Sequence, residues 1–154
     1  MPGPMPPTDP DVAAAHARAS AAFDRDDAAE VRRILAAQPG LKAMIDAPVG
    51  PFDTPAICRA RSRAMLDVLL DAGADINARS AWWAGGFGLL DSADPDLSAY
   101  AIERGAVVTV HAAARLGLMD ALGRLIEGDP DLVRARGGDG QTPLHFAGSV
   151  EVAA

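Results

Sequence analysis

A chain of 154 residues is about one domain's worth, with a single continuous core rather than two. Hydrophobic residues make up 49% of it and aromatic ones only 5%, and alanine is the commonest residue, which suits closely approaching helices. A net charge of −7 and a pI near 4.8 argue against nucleic acid and anionic membranes as partners, since both would repel the protein at long range.

The opening ten residues, MPGPMPPTDP, are proline-rich and carry neither a positive start nor an apolar run. They read as a flexible lead-in and as neither a signal peptide nor a membrane anchor. The alanine-rich stretch from Asp11 predicts a helix. Asp26 falls in a turn before an outer helix, AAEVRRILAAQPGL, and Asp tolerates such a turn moderately well.

Thr54 and Pro55 then read as a helix start, with Thr as cap and Pro in the first turn, where its missing N–H costs nothing. Met65, Leu66, Leu69 and Leu70 form the buried face of the helix that follows, which ends at Gly73. After an aromatic, glycine-rich segment, ARSAWWAGGFGLL, two further helices are expected near Phe87–Ala93 and Pro95–Arg104. Two more lie between Val110 and Val133, with Gly117 in the left-handed turn between them. Thr142 and Pro143 begin another helix, and SVEVAA reads as the start of its partner, so the sequence is expected to belong to a longer chain or an incomplete reading frame.

Self-similarity organises these elements. Gly73 in LLDAGADINAR has its counterpart in Gly105 of AIERGAVV, thirty-two residues on, which is the period of a helix-turn-helix repeat. TPAICRA at Thr54 matches TPLHFAG at Thr142, and "P..L" endings recur at Pro39 and Leu41 and at Pro130 and Leu132. The strings TPLH and LLDAGADIN, with the looser matches around them, resemble the ankyrin repeat family over most of the chain from about residue 11.

That resemblance implies an all-α helix-turn-helix solenoid of about four repeats and a truncated fifth. The approximate bounds are 11–53, 54–84, 85–108, 109–140 and 141–154. It also implies a protein-interaction module that binds a protein partner through its concave face and finger loops, without cofactor or catalytic group. A monomer is expected. His111 and His145 stand where such repeats place a histidine that tethers a hairpin loop, and no nucleophile or orienting carboxylate accompanies either one. His16 reads as a surface or capping residue.

Two departures from the family pattern mark candidate binding residues. Trp82, Trp83 and Phe87 replace a short polar turn, while GAVVTVHAAA leaves almost nothing where the next finger belongs. The rings either pack on neighbouring fingers, the commoner fate of large aromatics, or form an exposed anchor for a partner. Arg59, Arg61 and Arg63, alternating on the expected inner helix of repeat two, could join Arg79 and Arg115 in a positive patch for an acidic peptide or a phosphate-bearing ligand. Such runs are more often solvated and paired with nearby Asp.

The lone Cys58 excludes an internal disulfide, and no Cys or His spacing suggests zinc; a reducing, cytoplasmic setting is expected. Beside Arg59 the thiol's pKa could be mildly lowered, although a small buried residue is the simpler reading. The aspartates fall at turns and helix starts, where capping explains them. Gly85–Gly86 and Gly137–Gly138 lack the Lys-Ser or Lys-Thr of a phosphate loop. Two other functions stay open: the regulatory or substrate-recruiting arm of a larger enzyme, and a small-molecule binder with the tryptophan loop as its lid.

Overall fold

The computed structural model describes residues 9–48, 50–148 and 150–153. The proline-rich lead-in up to Thr8 therefore lies outside the described residues. Among those described, the fold is all-α, with no β-sheet and only two isolated β-bridges, Gly50 with Thr54 and Arg79 with Gly88. None of its helices is long and apolar enough to cross a membrane.

Helix α1 (Pro10–Asp24) starts where the Asp9 carboxylate accepts a hydrogen bond from the Asp11 N–H at 2.9 Å, with Pro10 in the first turn. The chain then reverses at Asp26, whose φ of 58° is left-handed, and Asp27 caps α2 (Ala28–Ala37) by accepting from the Glu30 N–H at 3.0 Å. Val31, Ile34 and Leu35, spaced one helical turn apart, are its buried face. Pro39 stops α2, because it has no N–H to donate and restricts the residue before it, and a single turn, α3 (Pro39–Lys42), buries Leu41.

The second unit departs from expectation at its start. Thr54 caps no helix; its hydroxyl donates to the Pro51 carbonyl, and only a 3₁₀ turn follows at Ala56–Arg59. At the matching Thr142, ahead of α8 (Pro143–Phe146), the backbone N–H lies 3.3 Å and the hydroxyl 2.9 Å from Nδ1 of His145. Three residues after Thr54 stands Ile57, which offers no such acceptor. Helix α4 (Arg63–Asp71) is capped by Ser62, which accepts from the Met65 N–H at 3.1 Å and donates to Asp26 at 3.0 Å, linking the second unit to the turn of the first. Met65, Leu66, Val68 and Leu69 are buried, while Leu70 is half-exposed.

In the third unit the helix expected at Phe87–Ala93 is a single 3₁₀ turn, Leu89–Asp91, followed by α5 (Pro95–Glu103), which Asp94 caps. The fourth pairs α6 (Val110–Leu116), capped by Thr109, with α7 (Met119–Gly128) through Gly117 at φ 67°. A short α9 (Val150–Ala153) follows α8.

The hydrogen bonds repeat as the sequence does. Ala74 N–H donates to the Leu69 carbonyl at 3.0 Å and Ala106 N–H to the Ala101 carbonyl at 2.9 Å, the same chain reversal thirty-two residues apart, at Gly73 (φ 96°) and Gly105 (φ 106°). Asp27 N–H to Ala22 O at 2.9 Å and Leu118 N–H to Ala113 O at 3.0 Å likewise make the Asp26 and Gly117 turns equivalent. The "P..L" endings match too: Leu41 donates to Gln38 O at 3.0 Å and Leu132 to Asp129 O at 3.1 Å.

The buried apolar residues fall into two clusters. One runs through the first three units to Ala112; the other holds Val110, Ala113, Ala114 and Leu122. An open groove of about 810 Å³ separates α5 from α7.

Two glycines in the fourth unit separate backbone conformation from packing. A Cβ at either Gly117 or Gly123 would meet nothing within 4 Å, but only Gly117 has a positive φ. Gly117→Ala is expected to cost about 1 kcal/mol and Gly123→Ala, inside α7, to gain about 0.5–1 kcal/mol. Urea unfolding of the two variants checks the opposite signs.

Candidate functional site

The aromatic segment forms a loop stiffened from within. Ser80 N–H donates to the Phe87 carbonyl at 2.8 Å, and Phe87 N–H donates back to the Ser80 hydroxyl at 2.9 Å. Asp91, its carboxylate almost fully buried, accepts from Gly88 N–H at 2.7 Å and from Arg79 at 3.1 Å. Arg79 also donates to the Gly86 carbonyl at 2.5 Å. Arg79 is thus spent holding the loop.

This loop lies beside a stretch of chain that makes no hairpin. The chain passes from Gly105 to the cap at Thr109 without a hairpin, and loop 79–88 packs directly on the next loop, 135–141. Trp82 Nε1–H donates to Asp139 at 2.8 Å, and the Phe87 ring lies against Gly138. Glycine is required at the crossing: a Cβ on Gly85, at φ 122°, would stand 2.3 Å from the Gly137 carbonyl oxygen, and one on Gly138 would stand 2.2 Å from the Phe87 ring.

The aromatic residues consequently part company. Phe87 and Trp82 are half-buried, and the Trp82 ring meets Phe52 edge to face, with centroids 5.2 Å apart and planes at 88°. Trp83, 5.7 Å from Trp82, is 85% exposed, and Phe52 is 65% exposed. Phe52 is a site residue that sequence reasoning missed. It and Asp53 both have positive φ, 58° and 53°, a conformation a bulky side chain adopts only under constraint. Ala81 N–H donates to the Asp53 carbonyl at 2.9 Å, tying that strained corner to the tryptophan loop.

The arginines are anchored at several places in the fold. Residues 59–63 are not one inner helix: Arg59 ends a 3₁₀ turn, Arg61 lies in the connection, and Arg63 opens α4. Arg59 and Arg61 share Asp24, and Arg63 engages elsewhere. Arg59 pairs with Asp24 at 3.6 Å, Arg61 donates to the Asp24 carbonyl, and the Arg63 guanidinium lies 5.0 Å from the Tyr100 ring centre. Arg115 donates to the Leu90 and Ala93 carbonyls at 2.9 and 2.6 Å. Burial lowers its pKa, with Asp91 and Asp94 opposing the shift.

His111 Nε2 lies 3.0 Å from the Ala135 carbonyl and 3.2 Å from that of Gln141. Both are acceptors, so Nε2 carries the proton and the ring pins loop 135–141. His145 binds its own helix start at Thr142. His16 is half-buried on α1. Cys58 is the small buried residue expected; it donates to the Ala78 carbonyl at 3.1 Å, and burial, opposed by Arg79, pushes its thiol up to about 11, so the alternative of a lowered pKa beside Arg59 does not hold. Two small pockets flank the base of the loop, about 120 and 250 Å³, and neither tryptophan lines them. Among the described residues, no three or more His, Cys, Asp or Glu are grouped to hold a metal ion. No protein-family model and no curated protein matches this chain.

The two tryptophans are expected to differ in unfolding experiments. Trp82→Ala removes a half-buried ring and its hydrogen bond to the exposed Asp139, costing about 1–2 kcal/mol, whereas Trp83→Ala stays within about 0.5 kcal/mol. Similar losses for both would contradict their assigned environments. The raised Cys58 pKa gives a second check. Above pH 9 the unfolded thiol ionises while the folded one stays protonated, so the stability it contributes is present below that pH and declines towards pH 11. Cys58→Ser should flatten that decline in a pH series of denaturation midpoints.

Proposed function

We propose that this chain is a protein-binding module of ankyrin-type repeats, which takes a protein partner on the corner formed by Phe52, Trp82 and Trp83. The repeat assignment rests on the recurring reversals at Gly73 and Gly105 and at Asp26 and Gly117, together with a histidine pinning a loop. Asn77 adds a link between successive loops: it accepts from Val107 N–H at 2.8 Å and donates to the Gly105 carbonyl at 3.4 Å.

One observation carries the binding surface. Two large apolar rings, Trp83 and Phe52, are held in solvent on a stiff support built from glycine contacts, a buried carboxylate and a strained backbone. A ring that is mostly in solvent but stands on an ordered loop is partly preorganised for a partner, because little backbone freedom remains to be lost on binding. The net charge of −7 keeps nucleic acid and anionic lipid away. The chain acts by binding and not by catalysis, as a cytoplasmic monomer.

The test is affinity capture from the source organism with wild type and with Trp83→Ala. Loss of a Trp anchor costs about 2 kcal/mol, so retention of the partner is expected to fall about 30-fold, with the melting midpoint unchanged. Equal capture by Trp83→Ala and by the Phe52→Ser/Trp83→Ala double variant would remove this corner as the binding surface.

A further inference from the structure

Between the first and second units lies a cleft of about 310 Å³. Helix α1 turns one stripe towards it, His16, Ala19, Ser20 and Phe23, at the spacing of a single helical face. The inner walls are aliphatic, with Leu35, Leu41, Ile45 and Leu69 among them, and Ala56 and Arg59 close the far side. The volume is at the lower end of the ~300–1,000 Å³ of small-molecule sites. An apolar chain seated against these walls leaves water and gains dispersion contacts, which favours binding.

Polar groups gather at the rim. The Arg59 guanidinium is 40% exposed, lies 3.6 Å from Asp24 and sits 5.5 Å from the centre of the Phe23 ring. Guanidinium has five N–H donors in a planar fork, and a single ion pair at that distance leaves most of them open. His16 and Ser20, on the same helical stripe, have no hydrogen-bond partner among the described residues. Asp24 lines the same rim, so an incoming carboxylate competes with it for Arg59, and an exposed pair of this kind is worth little.

We propose that this cleft binds a straight-chain carboxylic acid of about eight carbons. The chain occupies the aliphatic walls, and the carboxylate is received by Arg59, with His16 and Ser20 beside it. At the ~30 Å³ that one water occupies in the liquid, the space corresponds to roughly ten heavy atoms, the number in octanoate. The site adjoins the partner corner, since Pro51 and Thr54 line the cleft on either side of Phe52, but none of Phe52, Trp82 and Trp83 lines it.

Isothermal titration of the full 154-residue chain with octanoate tests the assignment, with 1-octanol and octylamine as the other arms. Saturable one-to-one binding of octanoate is expected. Arg59→Gln should weaken it about tenfold, the loss of one charge-assisted contact. Ala19→Leu, which fills the cleft from α1, should abolish binding while the melting midpoint holds or rises. If Ala19→Leu melts early, Ala56→Leu fills the same space from the opposite side. Absence of saturable octanoate binding, octanol or octylamine binding as tightly as octanoate, or full affinity in a well-folded filled variant would each overturn the proposal.

Discussion

The fold depends on a few residues that hold left-handed backbone where the chain must reverse between packed helices. At Asp26 and Gly117 the reversal sends an outer helix back along its inner partner; at Gly73 and Gly105 it releases the chain from the outer helix towards the next unit. An ordinary residue is disfavoured there by roughly 1–2 kcal/mol, which is why three of the four are glycine. The exception, Asp26, is compensated locally: its carboxylate accepts from Ser62, itself the cap of α4. One strained residue thereby sets the position of the next unit.

The same constraint explains why the candidate binding surface lies where it does. After Gly105 the chain goes almost directly into α6, so no hairpin stands between the loops at 79–88 and 135–141. The longer loop bridges that gap, and its backbone comes so close to the neighbouring loop that only glycine fits at residues 85 and 138. Close backbone approach uses the inner rings, Trp82 and Phe87, as packing. The outer ring, Trp83, is left in water as a consequence.

How much of this could be read from sequence varied with the physics of each residue. The reversals were legible because left-handed geometry selects glycine or aspartate, and the capping aspartates because carboxylates satisfy free helix N–H groups. The arginine run was placed on one helix, which residues 59–63 do not form, while its pairing with nearby Asp is seen at Arg59 and Arg79. Thr54 misled for a related reason. A Thr-Pro pair specifies a capped helix only with the right residue three positions on, and Ile57 cannot do what His145 does. Phe52 was invisible: nothing in a bulky aromatic announces a positive φ, which is imposed by the tertiary contacts around it. The aromatic segment was legible as unusual. Which of its rings would be exposed was decided by a loop more than fifty residues away in the chain.

The division of the apolar interior into two clusters raises the question of what couples them. The outer helices α5 and α7 stand apart across a groove, so the ordinary coupling of a stacked repeat, apolar face on apolar face, is weak at this junction. Polar contacts from α6 take its place. Arg115 reaches from α6 to the carbonyls that end the 3₁₀ turn of the third unit and to the buried Ser98 hydroxyl at 3.3 Å, itself bonded to the Ala93 carbonyl. The Ala93 carbonyl thus accepts from both Ser98 and Arg115, and the Leu90 carbonyl accepts from Arg115. Burial weakens the arginine's hold on its proton, but a guanidinium remains charged throughout the physiological range, so the junction keeps its charge-assisted bonds. Hydrogen bonds are more directional than apolar contact, and a junction built from them fixes the angle between the two halves. The loop that bridges the gap therefore meets its neighbour in one register, and Trp83 is presented in one place.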